Sequence, residues 1–140
     1  MYHCHGWAVV SDSPKESDPE ALAQLARRVE LRVAQIASEN PLVVFRAVNG
    51  EYHLAVSGFR NHYGEHVSWV VELFYWISSV APGSYGLLYA WDDEDPNGHN
   101  NEFQVWVMAK GRLVQQSDAY LSPCIPKIED PFDADFGVSN

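Results

Sequence analysis

The chain has 140 residues, a length that buries about two-thirds of the surface its unfolded form exposes and so supports one hydrophobic core and a single domain. Hydrophobic residues make up 46% and aromatics 13%, which excludes a disordered segment of low hydrophobicity. Nine Lys and Arg against 19 Asp and Glu give a net charge of −10; that balance disfavours a nucleic-acid surface and points to a basic partner, although acidity also serves solubility alone.

Residues 2–10 read as a strand with His3, His5 and Trp7 on one face and Tyr2, Cys4 and Ala8 on the other, and Gly6 suggests a bulge. The opening lacks a basic stretch leading into an apolar one, so no secretory signal is read and the expected location is cytoplasmic. After a polar loop holding Pro14, Asp18-Pro19-Glu20 is a helix start: the carboxylate caps orphan amides and proline suits the first turn. The helix should run over 19–39, with Leu22, Leu25, Ala26, Val29, Val33, Ile36 and Ala37 facing the core, and Asn40-Pro41 should end it.

Two β-rich runs follow, Leu42 to Val48 and Glu51 to Phe59, joined by Asn49-Gly50, the dipeptide best suited to a type I′ turn. A connection through Asn61-His62-Tyr63-Gly64 leads to a second helix over 65–80. Val67, Val70, Val71, Phe74 and Ile77 make one apolar stripe and Trp69, Leu73 and Trp76 another. Such a helix must be covered from two sides or present a sticky face.

Strands are expected at Tyr85 to Trp91, Glu102 to Ala109 and Arg112 to Gln116, the last two joined at Lys110-Gly111. Neither face of the middle run is polar, so it should be central in its sheet. From Ser122 the proline-bearing tail should be irregular. The fold class is therefore α+β, in the order β-α-β-β-α-β-β-β: a mostly antiparallel sheet of split βαββαβ type with a further hairpin and two helices on one face.

No stretch approaches the ~20 apolar residues of a membrane-spanning helix, so no membrane partner is expected. Cys4 and Cys124 lie at opposite ends of the chain and read as reduced thiols rather than a disulfide framework. His3-X-His5, with His53 or His62, raises a metal-binding or hydrolytic enzyme as an alternative, but zinc needs three or four suitably placed ligands and no recognised spacing supplies them. Asp93, Asp95, Asn97 and Gly98 match the first half of a calcium loop; the position of the bidentate glutamate is Gln104, and strands flank the loop where helices are required. No nucleophile elbow, phosphate loop or cofactor motif is present.

What remains is aromatics near carboxylates. Trp69, Trp76, Tyr89 and Trp91 stand with Asp92, Asp93, Glu94 and Asp95 as candidate partner-binding residues, since aromatic anchors dominate protein interfaces and charges steer encounter. The competing reading of the aromatics is that they are core.

At Asn49-Gly50-Glu51-Tyr52-His53-Leu54, Gly58-Phe59-Arg60-Asn61-His62, Ala81-Pro82-Gly83-Ser84-Tyr85-Gly86-Leu87-Leu88-Tyr89 and Asn101-Glu102-Phe103-Gln104-Val105-Trp106-Val107 the chain resembles the Imm7 family of immunity proteins. His5-Gly6-Trp7 and Leu121-Ser122-Pro123-Cys124-Ile125-Pro126 fit as well. The resemblance implies a small cytosolic protein, encoded beside a polymorphic toxin, that protects the producing cell by binding the toxin's C-terminal domain and has no enzymatic activity. It transfers no binding residue to a position in this sequence.

Overall fold

The computed structural model describes residues 1–37, 43–61 and 63–131, the side chains of 65–67 excepted. These residues form β1 (Tyr2–Val10), α1 (Pro19–Ala37), β2 (Val43–Val48), β3 (Glu51–Arg60), α2 (Glu65–Val80), β4 (Tyr85–Asp92), β5 (Gln104–Ala109), β6 (Arg112–Ser117) and one kinked turn, α3 (Cys124–Lys127). The six strands make one antiparallel sheet in the order β2-β3-β1-β4-β5-β6. β1 sits between β3 and β4, as a split βαββαβ unit requires, and the β5-β6 hairpin extends the sheet beyond β4. Residues 38–42, with the expected Asn40-Pro41 helix stop, lie outside the described residues, as do His62 and the side chain of Val67.

Local chemistry accounts for most of the boundaries. The Asp18 carboxylate accepts a hydrogen bond from the Glu20 amide at 3.2 Å and so caps α1. Asn49 and Gly50 (φ 52° and 80°) close the β2-β3 hairpin, and Lys110 and Gly111 (φ 55° and 73°) close β5-β6, both with the paired left-handed residues of a type I′ turn. Glu102 and Phe103 fall outside β5, because the Phe103 backbone is claimed by the tail: its amide donates to Ser122 Oγ and its carbonyl accepts from the Asp118 amide, both at 2.9 Å.

Gly6 is not a bulge. It pairs in unbroken register with Val56 and Leu88, and a Cβ there would lie 2.7 Å from the Leu87 carbonyl oxygen and from Leu88 Cδ1. Gly86 is tighter still: a Cβ would sit 2.1 Å from the Trp7 carbonyl oxygen. Both glycines serve close approach between β1 and β4 rather than a change of register.

Both helices lie on one face of the sheet, α1 over β2 and α2 over β5 and β6, meeting along a seam. Leu25, Val29, Val33 and Ile36 of α1 and Val70, Leu73, Phe74 and Ile77 of α2 are buried against Ala8, Val10, Leu54, Val56, Leu88 and Met108. Phe74 is fully buried, and truncating such a residue to alanine costs about 3–5 kcal/mol. Among the described residues neither α1 nor α2 lies on the opposite face of the sheet, and one corner of that face is covered where Cys124 of α3 packs with Trp91 and Phe103.

Candidate partner-binding site

The acidic turn leaves the sheet at the end of β4 and is held in shape by its own carboxylates. Asp92 Oδ1 accepts from the Glu94 amide at 3.0 Å and Asp95 Oδ1 from the Asn97 amide at 2.8 Å. The Asp93 amide donates to the Met1 carbonyl at 3.2 Å, and its carboxylate meets the Met1 ammonium at 2.6 Å. Asp93 and Glu94 are exposed, while Asp92 and Asp95 are half-buried and face inward. The four carboxylates therefore stand at the end of the sheet as an outer and an inner pair.

The inner pair borders a groove of about 480 Å³ between α2 and the β4-β5 connection. Tyr2 and Ala90 contribute to its lining from β1 and β4, Tyr63, Tyr75 and Trp106 add rings, and Glu72 of α2 joins Asp92 and Asp95. Tyr2 meets Tyr63 edge to face, with ring centroids 5.5 Å apart. Burial, with Cys4 alongside, raises the Tyr2 hydroxyl far above the ordinary tyrosine range, so it stays a neutral phenol.

The four candidate aromatics do not share one face. Trp91 is 5% exposed, its indole N–H donating to the Asn100 carbonyl at 2.8 Å, and Tyr89 is half-buried beside it on the open face. Trp69 and Trp76 are partly buried on the other side of the sheet, and Trp76 lies beneath Arg32 (4.6 Å from ring centroid to guanidinium carbon) and Arg28 (5.8 Å). α1 thus covers Trp76, one ring of the second apolar stripe of α2, through cation–π contacts.

The alternative histidine cluster is only partly assembled. His3 and His5 approach to 3.4 Å between ring nitrogens, but His53 lies opposite Val9, farther along β1, and pairs with Glu51 at 3.2 Å. His62 lies outside the described residues. Among the described residues no three His, Cys, Asp or Glu side chains are placed to hold one metal ion, in the acidic turn or elsewhere. Both cysteines are free and buried, and burial, first among the causes, pushes each thiol up to about 11, away from nucleophilic use.

With this geometry in place, a scan of family models matches residues 1–130 to Immunity protein 7, Imm7. The chain belongs to the Imm7 family. The Imm7 match takes in the whole sheet, both long helices, the acidic turn and the tail through α3. A comparison with curated proteins found no match. Among the described residues no helix of this Imm7 chain is long and apolar enough to cross a membrane.

Several exposed aromatics of the Imm7 chain were not singled out from sequence. Trp7 (46% exposed), Phe59 (57%) and Tyr85 (47%) stand on the open face, and Tyr63 and Tyr75 border the groove. Their signal is weak, because each is a single ring, at an alternate strand position, on α2 or in the β3-α2 connection. Exposure depends on the fact that both helices chose the opposite face. Trp7 and Tyr85 meet edge to face at 6.1 Å, so the exposed rings are ordered against each other.

Proposed function

We propose that this Imm7 protein neutralises a cognate toxin domain by occupying it stoichiometrically in the cytoplasm of the producing cell, without chemistry of its own. The observation that carries the reading is the family match over residues 1–130. The net charge of −10 supports a basic target, and a nuclease domain, which needs cationic surface to hold phosphates, fits that requirement. On this reading Asp92, Asp93, Glu94 and Asp95 supply the charged contacts.

The aromatic candidates divide by placement. Tyr89 on the open face and Trp69 and Trp76 at the helix seam retain surface for a partner, and Trp91 supports the corner from behind. Tyrosine and tryptophan suit this work because they bury large area with few rotors to freeze.

Co-expression with the C-terminal domain of the neighbouring toxin gene tests the proposal. Growth is restored by the intact chain, and the two proteins co-purify at one to one. Rescue without association, or turnover of a substrate by the purified chain alone, would refute inhibition by occupancy.

A further inference from the structure

The groove inside the acidic turn combines carboxylates with aromatic rings. Among the described residues its lining holds three carboxylates, Glu72, Asp92 and Asp95, and no lysine or arginine. His99, also in the lining, is hydrogen-bonded to the Glu102 carboxylate, which places a fourth acid just behind. Asp92 and Asp95 each spend one oxygen on a backbone amide of the turn, which fixes where the carboxylates stand. The rest of the wall mixes the rings of Tyr63, Tyr75 and Trp106 with apolar Val71 and Ala90 and the polar side chains of Gln104 and Gln115, and Tyr63 and Tyr75 are about half exposed.

An apolar, ring-lined cleft rimmed by one sign of charge selects its occupant. A carboxylate or phosphate would be repelled, and a purely apolar side chain would leave the acids desolvated and unpaired. A guanidinium satisfies both surfaces, since it stacks on ring faces and presents a planar fork of donors to carboxylates. The fold already uses that pairing at Arg32 over Trp76, at 4.6 Å. At about 480 Å³ the groove lies within the roughly 300–1,000 Å³ typical of binding pockets, enough for one side chain and its flanking backbone.

We infer that the groove between α2 and the acidic turn receives an arginine side chain of the partner protein, held by Glu72, Asp92 and Asp95 against Tyr75 and Trp106. The inference rests on the toxin-binding reading for the identity of the partner, but the preference for arginine belongs to the groove itself. The arginine is an anchor in the interface: its loss acts on the lifetime of the complex, whereas the outer carboxylates act on encounter.

Two measurements separate the groove from the toxin reading. In the first, the isotope-labelled full chain is titrated with acetyl-Gly-Arg-Gly-amide and with its citrulline counterpart, which keeps the shape and loses the charge. The arginine peptide shifts the Trp106 indole and the Gln104 and Gln115 side-chain amides saturably, the citrulline peptide binds at least about tenfold more weakly, and Glu72→Gln with Asp95→Asn removes saturation. Both substitutions preserve shape, and asparagine keeps an acceptor for the Asn97 amide. Equal response to the two peptides, or shifts scattered away from the groove, overturns the inference.

In the second, the same double variant is measured against the toxin domain and dissociates at least about tenfold faster than the unaltered chain. Tight toxin binding that the double variant leaves unchanged overturns the groove while the Imm7 reading stands. Saturation by the arginine peptide with no toxin binding by the unaltered chain overturns the toxin reading and leaves the cation groove standing.

Discussion

His3 shows how one half-buried strand position acquires an unusual environment from its neighbours. Its ring lies 4.4 Å from Phe59 and 5.6 Å from Trp91, its cross-strand partners on β3 and β4. Burial among these rings, with His5 adding repulsion, lowers its pKa below the ordinary 6.5 despite the opposing pull of Glu129 and Asp93. Below pH 6.5 the unfolded chain therefore binds a proton at this site more readily than the folded one, so the stability it contributes is full above that pH and declines as pH falls through the depressed value. A proton-linked NMR titration should place His3 below an ordinary histidine, and Phe59→Ala, which opens the ring to water, should move it back up. A normal His3 titration in the unaltered chain, or no change on opening the ring, would reject this account.

At the scale of elements, local signals with a backbone mechanism were legible. Asn49-Gly50 and Lys110-Gly111 name their hairpins, Asp18 names the start of α1, and the alternation in β1 separates Tyr2 and Cys4 from His3 and Trp7. Legibility fails where one sequence pattern serves two tertiary ends. Gly6 and Gly86 carry a mark that also signals bulges, although here β1 and β4 simply need close approach. Trp91 and Trp7 are both tryptophans on strands facing the same side, yet the tail buries one and leaves the other 46% exposed.

One side chain, Asn101, holds the tail at two points. Asn101 Oδ1 accepts from the Ile125 amide at 2.8 Å, its Nδ2 donates to the Ile125 carbonyl at 3.0 Å, and its own carbonyl accepts from the Cys124 amide at 2.8 Å. Asn101→Ala removes two of these bonds and should release residues 122–128 from the Trp91 corner, at a cost of about 1–3 kcal/mol shared between docking and stability. The readout is a red shift of tryptophan emission together with faster alkylation of Cys124, which the docked tail holds fully buried. Unchanged thiol protection would show that apolar contact alone seats the tail.

For the whole molecule the question is how a chain of charge −10 distributes its field. The outer carboxylates, Asp93 and Glu94, project from the end of the sheet, and the Met1 ammonium offsets part of the first. Exposed charges act over a Debye length of about 8 Å at physiological ionic strength, so this pair influences encounter more than the dry contact that follows. Replacing both by their amides should slow association with a basic toxin domain by roughly three- to tenfold at low salt, flatten the dependence of that rate on ionic strength, and leave dissociation nearly unchanged. The groove carboxylates behave in the opposite way if they hold a partner side chain, so stopped-flow association and dissociation rates of this variant and of Glu72→Gln with Asp95→Asn assign steering to the outer face of the turn and anchoring to the groove. Equal association rates for the unaltered chain and the outer variant, at every salt concentration, would place the steering charge elsewhere on the surface.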